Sequence, residues 1–118
     1  MLSATKREIM TKEQKKIEQI KQKLLKLGSM LPGSISEQWN VCGTPGCKCK
    51  SKKKPIKHGP YFQLSFSVKG KSSSFFVKKQ DLSEAYRCIQ RYKRFKKLNM
   101  ELTKAYVDLA RKNGFTRR

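Results

Sequence analysis

Residues 61–79 read YFQLSFSVKGKSSSFFVKK, and this stretch decides the fold. Phe62, Leu64, Phe66 and Val68 alternate with Tyr61, Gln63, Ser65 and Ser67, the period-two pattern of a strand with one face turned to a core. After Lys69-Gly70 a second strand is predicted over residues 72–79. A two-residue turn there pairs Val68 with Lys71, Phe66 with Ser73, Leu64 with Phe75 and Phe62 with Val77, gathering the apolar side chains on one face. A three-residue loop with a bulge would set Gln63 opposite Phe75, so the shorter turn is favoured, although lysine is a poor residue where φ must be positive. The opposite face then carries Gln63, Ser65, Ser67, Ser72, Ser74 and Phe76, rimmed by Tyr61 and lysines.

On the C-terminal side, Asp81 and Glu84 suit a capping box that opens a helix from Leu82 to about Lys112, stopped by Asn113-Gly114. Cys88, Tyr92, Phe95, Leu102, Tyr106 and Leu109 follow a heptad, with Asn99 in the remaining slot as a register-setting polar residue. On the N-terminal side, Thr5 and Glu8 suit another box, opening a helix over residues 5–27 that Gly28, Pro32 and Gly33 end. Met10, Ile17, Ile20, Leu24 and Leu27 form its seam, broken once by Glu13. The expected class is α+β. Long terminal helices pack together as a coiled-coil-like helical hairpin, or against a second copy, and flank a Cys/His knuckle and a two-stranded antiparallel β-hairpin. The expected divisions are a basic helix over 1–30, a central domain over 31–98 with the knuckle at 40–60 and the hairpin at 61–79, and a helical remainder with basic tail over 99–118.

Between the first helix and the hairpin, residues 34–60 hold Gly43, Pro45, Gly46, Pro55, Gly59 and Pro60, which predicts a loop-built module. It contains Cys42, Cys47, Cys49 and His58, three soft thiolates and one imidazole, a donor set that tetrahedral zinc commonly takes. A structural Zn²⁺ is therefore expected, with Cys88 read as a core residue. The alternatives are a loop held by these side chains without metal, and a redox pair at Cys47 and Cys49. Catalytic zinc would need a nearby general base, and residues 38–80 contain no Asp or Glu. His58 is the single histidine and no phosphate-cradling glycine loop of the Walker type occurs, so no catalytic residue is assigned and a non-enzyme is expected.

Charge supplies the functional expectation. Lys and Arg number 29 against 8 acids, for a net charge of +21, well beyond the roughly 8 that solubility asks of a small domain. A polyanion that screens this self-repulsion is the natural partner. The cations cluster: Lys48, Lys50, Lys52, Lys53, Lys54, Lys57, Lys69, Lys71, Lys78 and Lys79 occupy the acid-free stretch, and Arg87, Arg91 and Arg94 follow on the helix. Together with Tyr61, Gln63, Ser65 and Ser74 these are the predicted nucleic-acid contacts. Duplex DNA is favoured because a two-stranded ribbon fits a major groove. Stacking of Tyr61 and Phe76 on unpaired bases keeps RNA and single strands open, and a protein-interaction module built on the heptad helices is the rival class. No stretch has the length of a membrane span and no signal-peptide core is evident, so a cytoplasmic protein without membrane contact is expected, with association with the nucleoid left open.

The run CGTPGCKCKSKKKPIKHGPYFQLSFSVKGKSSSFFVKK resembles a family of short bacterial proteins known as a domain of unknown function. The resemblance rests on its C-G-x-P-G-C-x-C knuckle, H-G-P-Y and G-K turn, and covers residues 31–98. It implies no activity and no catalytic residue. More loosely, residues 59–97 are similar to the arm-site DNA-binding domains of tyrosine-recombinase integrases, which set a small sheet in the major groove and back it with a helix. Those have three strands where two are visible here, and no cysteine cluster. The similarity implies an accessory or regulatory role in a mobile element, with a recombinase or transposase as protein partner; the heptad helices allow a homodimer instead.

Overall fold

The computed structural model describes residues 10–41, 44–51 and 56–115. They form helix α1 (Lys12–Leu25), strands β1 (Ser34–Asn40), β2 (His58–Val68) and β3 (Lys71–Val77), and helix α2 (Leu82–Asn113). Short 3-10 turns occupy Lys48–Lys50 and Lys79–Asp81. The chain divides into two compact units, Met1–Ser29 with Arg91–Arg118, and Met30–Gln90.

The first unit is a helix pair. Thr11, extended at φ −70° and ψ 166°, caps α1. Its Oγ1 accepts from the Gln14 N–H at 3.2 Å, and the Gln14 Oε1 accepts from the Thr11 N–H at 2.9 Å. This corrects the expectation of one helix over residues 5–27. The same capping signature recurs six residues later, and Thr11 cannot be both cap and helix interior. Thr5 and Glu8 lie outside the described residues. At the other end Leu27 N–H turns back to the Leu24 carbonyl at 3.2 Å, closing the helix at Leu25.

Ile17 and Ile20 are buried on α1, and Ile17 packs in a cluster with Ala105, Leu109 and Leu102 of α2. Each large side chain so buried contributes about 1.5–3 kcal/mol. The apolar stripe of α2 departs from the predicted heptad at two places. Leu98 is buried where Asn99 was expected, and Ala105 is buried while Tyr106 is exposed. A straight helix turns every 3.6 residues, so its buried stripe drifts off a strict seven-residue pattern. Asn99 instead faces solvent, and its carbonyl accepts from Thr103 Oγ1 at 2.8 Å. Glu13, the break in the α1 seam, faces Lys112, its Oε1 lying 3.5 Å from Nζ. Lys21 Nζ sits 5.9 Å from the Tyr106 ring centre. The Lys104 hydrogen bond to Asp108 at 2.8 Å, aided by the charges of Lys104, Arg111 and Lys16, holds the Asp108 carboxyl below its ordinary value. That contribution is present above the usual carboxylate range and fades as pH falls through the lowered value.

The second unit is a three-stranded antiparallel sheet in the order β1-β2-β3, followed by the start of α2. Its buried side chains are Cys49, Leu64, Ala85, Cys88 and Ile89, with Leu64 fully enclosed. The expectation of two strands is corrected by β1. All the Pro and Gly punctuation of residues 34–60 falls beyond Val41, so Ser34-Ile-Ser-Glu-Gln-Trp-Asn is free to pair. The strand also begins earlier than expected in β2, at His58 rather than Tyr61. The β2-β3 register is the predicted one, with Val68 opposite Lys71, Phe66 opposite Ser73, Leu64 opposite Phe75 and Phe62 opposite Val77. Lys69 at φ 54° and Gly70 at φ 77° give the turn two positive-φ residues, the type I′ pattern whose twist matches the flanking strands.

Candidate metal centre and nucleic-acid interface

The knuckle is built from two backbone turns. Thr44-Pro45-Gly46-Cys47 closes with the Cys47 N–H on the Thr44 carbonyl at 3.3 Å. Pro45 in the second position and Gly46, at φ 76°, in the third are what a type II turn demands. The 3-10 turn follows at once, with the Lys50 N–H on the Cys47 carbonyl at 3.0 Å, and the Ile56 N–H returns to the Lys48 carbonyl at 3.0 Å. These turns aim Cys47 and Cys49 toward the first residue of β2, His58.

The donor atoms of Cys47, Cys49 and His58 all lie within 4.8 Å of one another. Cys47 Sγ approaches His58 Nε2 to 3.2 Å. A tetrahedral zinc at ordinary bond lengths separates a sulfur from a nitrogen ligand by about 3.6 Å and two sulfurs by about 3.8 Å. The three groups therefore fit one metal ion with small side-chain adjustments. Cys49 is 2 % exposed, so the site is screened on one side. Cys42, the remaining predicted ligand, lies outside the described residues, as do Lys52, Lys53 and Lys54. Cys88 stands apart from this group, buried on α2 with its Sγ donating to Glu84 Oε2 at 3.6 Å.

The sheet places the predicted contacts Tyr61, Gln63, Ser65 and Ser74 on one face, as pairings of Gln63 with Phe76 and Ser65 with Ser74 require. β1 enlarges that face with Ser34, Ser36 and Gln38, opposite Ser65, Gln63 and Tyr61. Sequence reasoning missed these three, although Ser34, Ser36, Gln38 and Asn40 alternate with Ile35, Glu37 and Trp39, a strand signal broken only by the charge of Glu37. The face is cross-linked by side-chain hydrogen bonds: Gln38 Nε2 to Ser36 Oγ at 3.0 Å, Gln63 Nε2 to Ser74 Oγ at 2.9 Å, and Ser67 to Ser72 at 2.7 Å. Glu37 pairs with Phe62 and so belongs to the opposite, apolar face.

The cations are distributed less uniformly than the sequence implies. Lys48 and Lys50 flank Cys49, Lys57 precedes His58, and Lys69, Lys78 and Lys79 stand at the ends of β3, all exposed. Lys71 pairs with Val68 and belongs to the apolar face. Arg87 binds Glu84, with Nε 2.9 Å from Oε1. Arg91 donates from Nη1 to the Ser29 carbonyl at 3.1 Å. Arg91 and Arg94 both belong to the helix-pair unit, whereas the sheet belongs to the other.

Beside the knuckle, Asn40, Thr44, Cys47, His58, Tyr61 and Phe76 line an open groove of about 660 Å³. Tyr61 and Phe76 meet edge to face across the sheet, their ring centres 6.1 Å apart.

A family model described as a domain of unknown function (DUF6788) matches residues 10–87. This span exceeds half of the chain, which belongs to that family. It begins ahead of α1 and ends early in α2, so it takes in the knuckle and the whole sheet, and it starts further upstream than the 31–98 of the sequence reading. No curated protein and no solved structure matches the chain. Among the described residues, no helix is long and apolar enough to cross a membrane.

Proposed function

We propose that this chain is a nucleic-acid-binding protein without enzymatic activity, that the uncharged face of the β1-β2-β3 sheet is its contact surface, and that a structural zinc ion secures the knuckle beside it. The observation that carries the reading is that face itself. Across three strands it presents Ser, Gln and aromatic side chains and no acid, in a chain of net charge +21. Hydroxyl and amide groups can donate to and accept from base edges or phosphates, and the lysines around them neutralise the backbone. The two-stranded β2-β3 ribbon, with strand axes about 5 Å apart, is narrow enough for a major groove roughly 12 Å wide. Duplex DNA is accordingly the favoured form.

Zinc is supported by the convergence of Cys47, Cys49 and His58, with Cys42 as the fourth donor the sequence assigns. It would tie the loop ahead of β2 to the sheet and leave no chemistry to it beyond that. The deciding experiment is fluorescence anisotropy of the full chain with duplex DNA, single-stranded DNA and RNA across a salt series. Binding is expected to weaken by about a thousandfold between roughly 50 and 200 mM salt. Absence of affinity for all three at low salt would overturn the proposal.

A further inference from the structure

We infer that the groove between the knuckle and the sheet receives one unpaired nucleobase, stacked on Phe76 and read by Asn40 and Thr44. This rests on the nucleic-acid reading above and adds to it a specific subsite. Phe76 is 61 % exposed and Tyr61 43 %, on the polar face of the sheet and not its apolar one. Phe76 lies opposite Gln63, so Tyr61 reaches it as the diagonal neighbour. An edge-to-face pair leaves ring faces uncovered, and an aromatic face is what a base stacks on.

The rest of the lining completes the fit. Asn40 offers an amide with both a donor and an acceptor, and Thr44 a hydroxyl, in a groove whose other lining residues are the rings of Tyr61 and Phe76 and the candidate metal ligands Cys47 and His58. The volume of about 660 Å³ exceeds what one base needs, and the groove is open on the solvent side, so the backbone of a strand can pass over it. That backbone would meet cations. Lys48, Lys57 and Lys78 are each within two residues of a groove-lining side chain and are exposed, and the sequence from 38 to 80 contains no acid to repel phosphate. A paired base inside a duplex presents only its edges, so the subsite selects a single strand or a base displaced from a helix.

The competing account is that Tyr61 and Phe76 form a cross-strand pair that only stabilises the hairpin. Three DNA probes separate the two: a fully paired hairpin, the same hairpin with one 5-iodouracil bulge, and a single strand, each with an RNA counterpart. Phe76→Leu keeps apolar bulk on β3 but removes the ring, and Phe76→Trp keeps a ring. The full chain is expected to bind the bulged hairpin most tightly, because it keeps the favoured duplex and adds a displaced base, and to hold the single strand through this subsite. Phe76→Leu should lose about tenfold on the first two and less than twofold on the paired probe, with Phe76→Trp restoring the difference. Irradiation of the bulged complex should cross-link the peptide that holds Tyr61 or Phe76.

If the wild type binds nucleic acid but shows equal affinities, and Phe76→Leu shifts only the melting temperature, the inference fails and the nucleic-acid reading stands. Cross-links confined to peptides outside the groove would overturn it likewise. A wild type that binds none of the probes overturns both.

Discussion

The Sγ of Cys47 and the Nε2 of His58 lie 3.2 Å apart although the two residues stand eleven positions apart in sequence. The approach ties a turn-rich loop to the first residue of β2, and it orients the ring so that Nε2 is the nitrogen a metal would meet. Cys49 completes a three-donor group on the same side.

Elemental analysis of freshly purified protein should accordingly find about one zinc per chain. Metal affinity here is folding free energy, because the donors converge only in the folded knuckle. Chelation should lower the melting temperature by about 10 °C or more, at the roughly 4–8 °C per kcal/mol expected of a small domain. Cys49→Ser should do the same and abolish zinc retention. Metal-free protein with unchanged melting would exclude the staple.

Gly33 supplies a second test. It precedes β1 with φ at +92°, and a Cβ there would stand 2.0 Å from the Ser65 carbonyl oxygen. No rotamer relieves a clash with backbone. Gly33→Ala should cost about 2–4 kcal/mol and act by prising β1 from β2. Urea unfolding measures the loss, and hydrogen exchange should show it concentrated at Ile35 and Leu64.

How far the sequence could reach is clear from these two sites. The β2-β3 register was legible because the eight alternating positions from Tyr61 to Val68 favoured the two-residue turn, and a one-residue slip would have set serines on the apolar face. The Cys47, Cys49 and His58 group was legible as residue types, two thiols and an imidazole at short spacing in a turn-rich segment. β1 was not, because Glu37 interrupts its alternation and the Pro and Gly that follow it were read as covering the whole segment. Gly33 looked like part of a helix stop, yet its need comes from Ser65, thirty-two positions away, and no local pattern encodes that approach. The uncharged face was visible in part. Its third strand, and with it Asn40 of the groove, came only from the pairing of β1 with β2.

The helix pair offers a sharp comparison of neighbours. Ala105 is 3 % exposed in the cluster with Ile17 and Leu109, while Tyr106 is 44 % exposed. Ala105→Leu should overpack that contact and cost about 1–3 kcal/mol, and Ile17→Ala should cost about 2–5 kcal/mol through the cavity it leaves. Tyr106→Ala should cost less than about 1 kcal/mol, the value of an exposed ring beside Lys21. Thermal melts of the three variants decide it. A larger loss at Tyr106 than at Ala105 would restore the strict heptad that the sequence suggests.

Lys69 separates stability from binding within one residue. It holds φ at 54°, a conformation unfavourable for lysine and tolerated by asparagine, in a turn that prefers Asn-Gly. Lys69→Asn should therefore stabilise the hairpin by about 0.5–1 kcal/mol. The same change removes an exposed cation at the tip of the hairpin, so affinity for nucleic acid should fall and the slope of log affinity against log salt should shrink by about one. Lys78→Ala should weaken binding similarly without the gain in stability. Lys71→Ala should affect binding less, because Lys71 pairs with Val68 and belongs to the apolar side of the sheet. A natural lysine in a position that asparagine fills better is understandable if the charge is selected for contact, and the opposed signs of the two effects are the measurement that checks it. If Lys69→Asn raised stability and left both affinity and salt slope unchanged, the turn would be excluded from the interface and the contact surface would be confined to the strands.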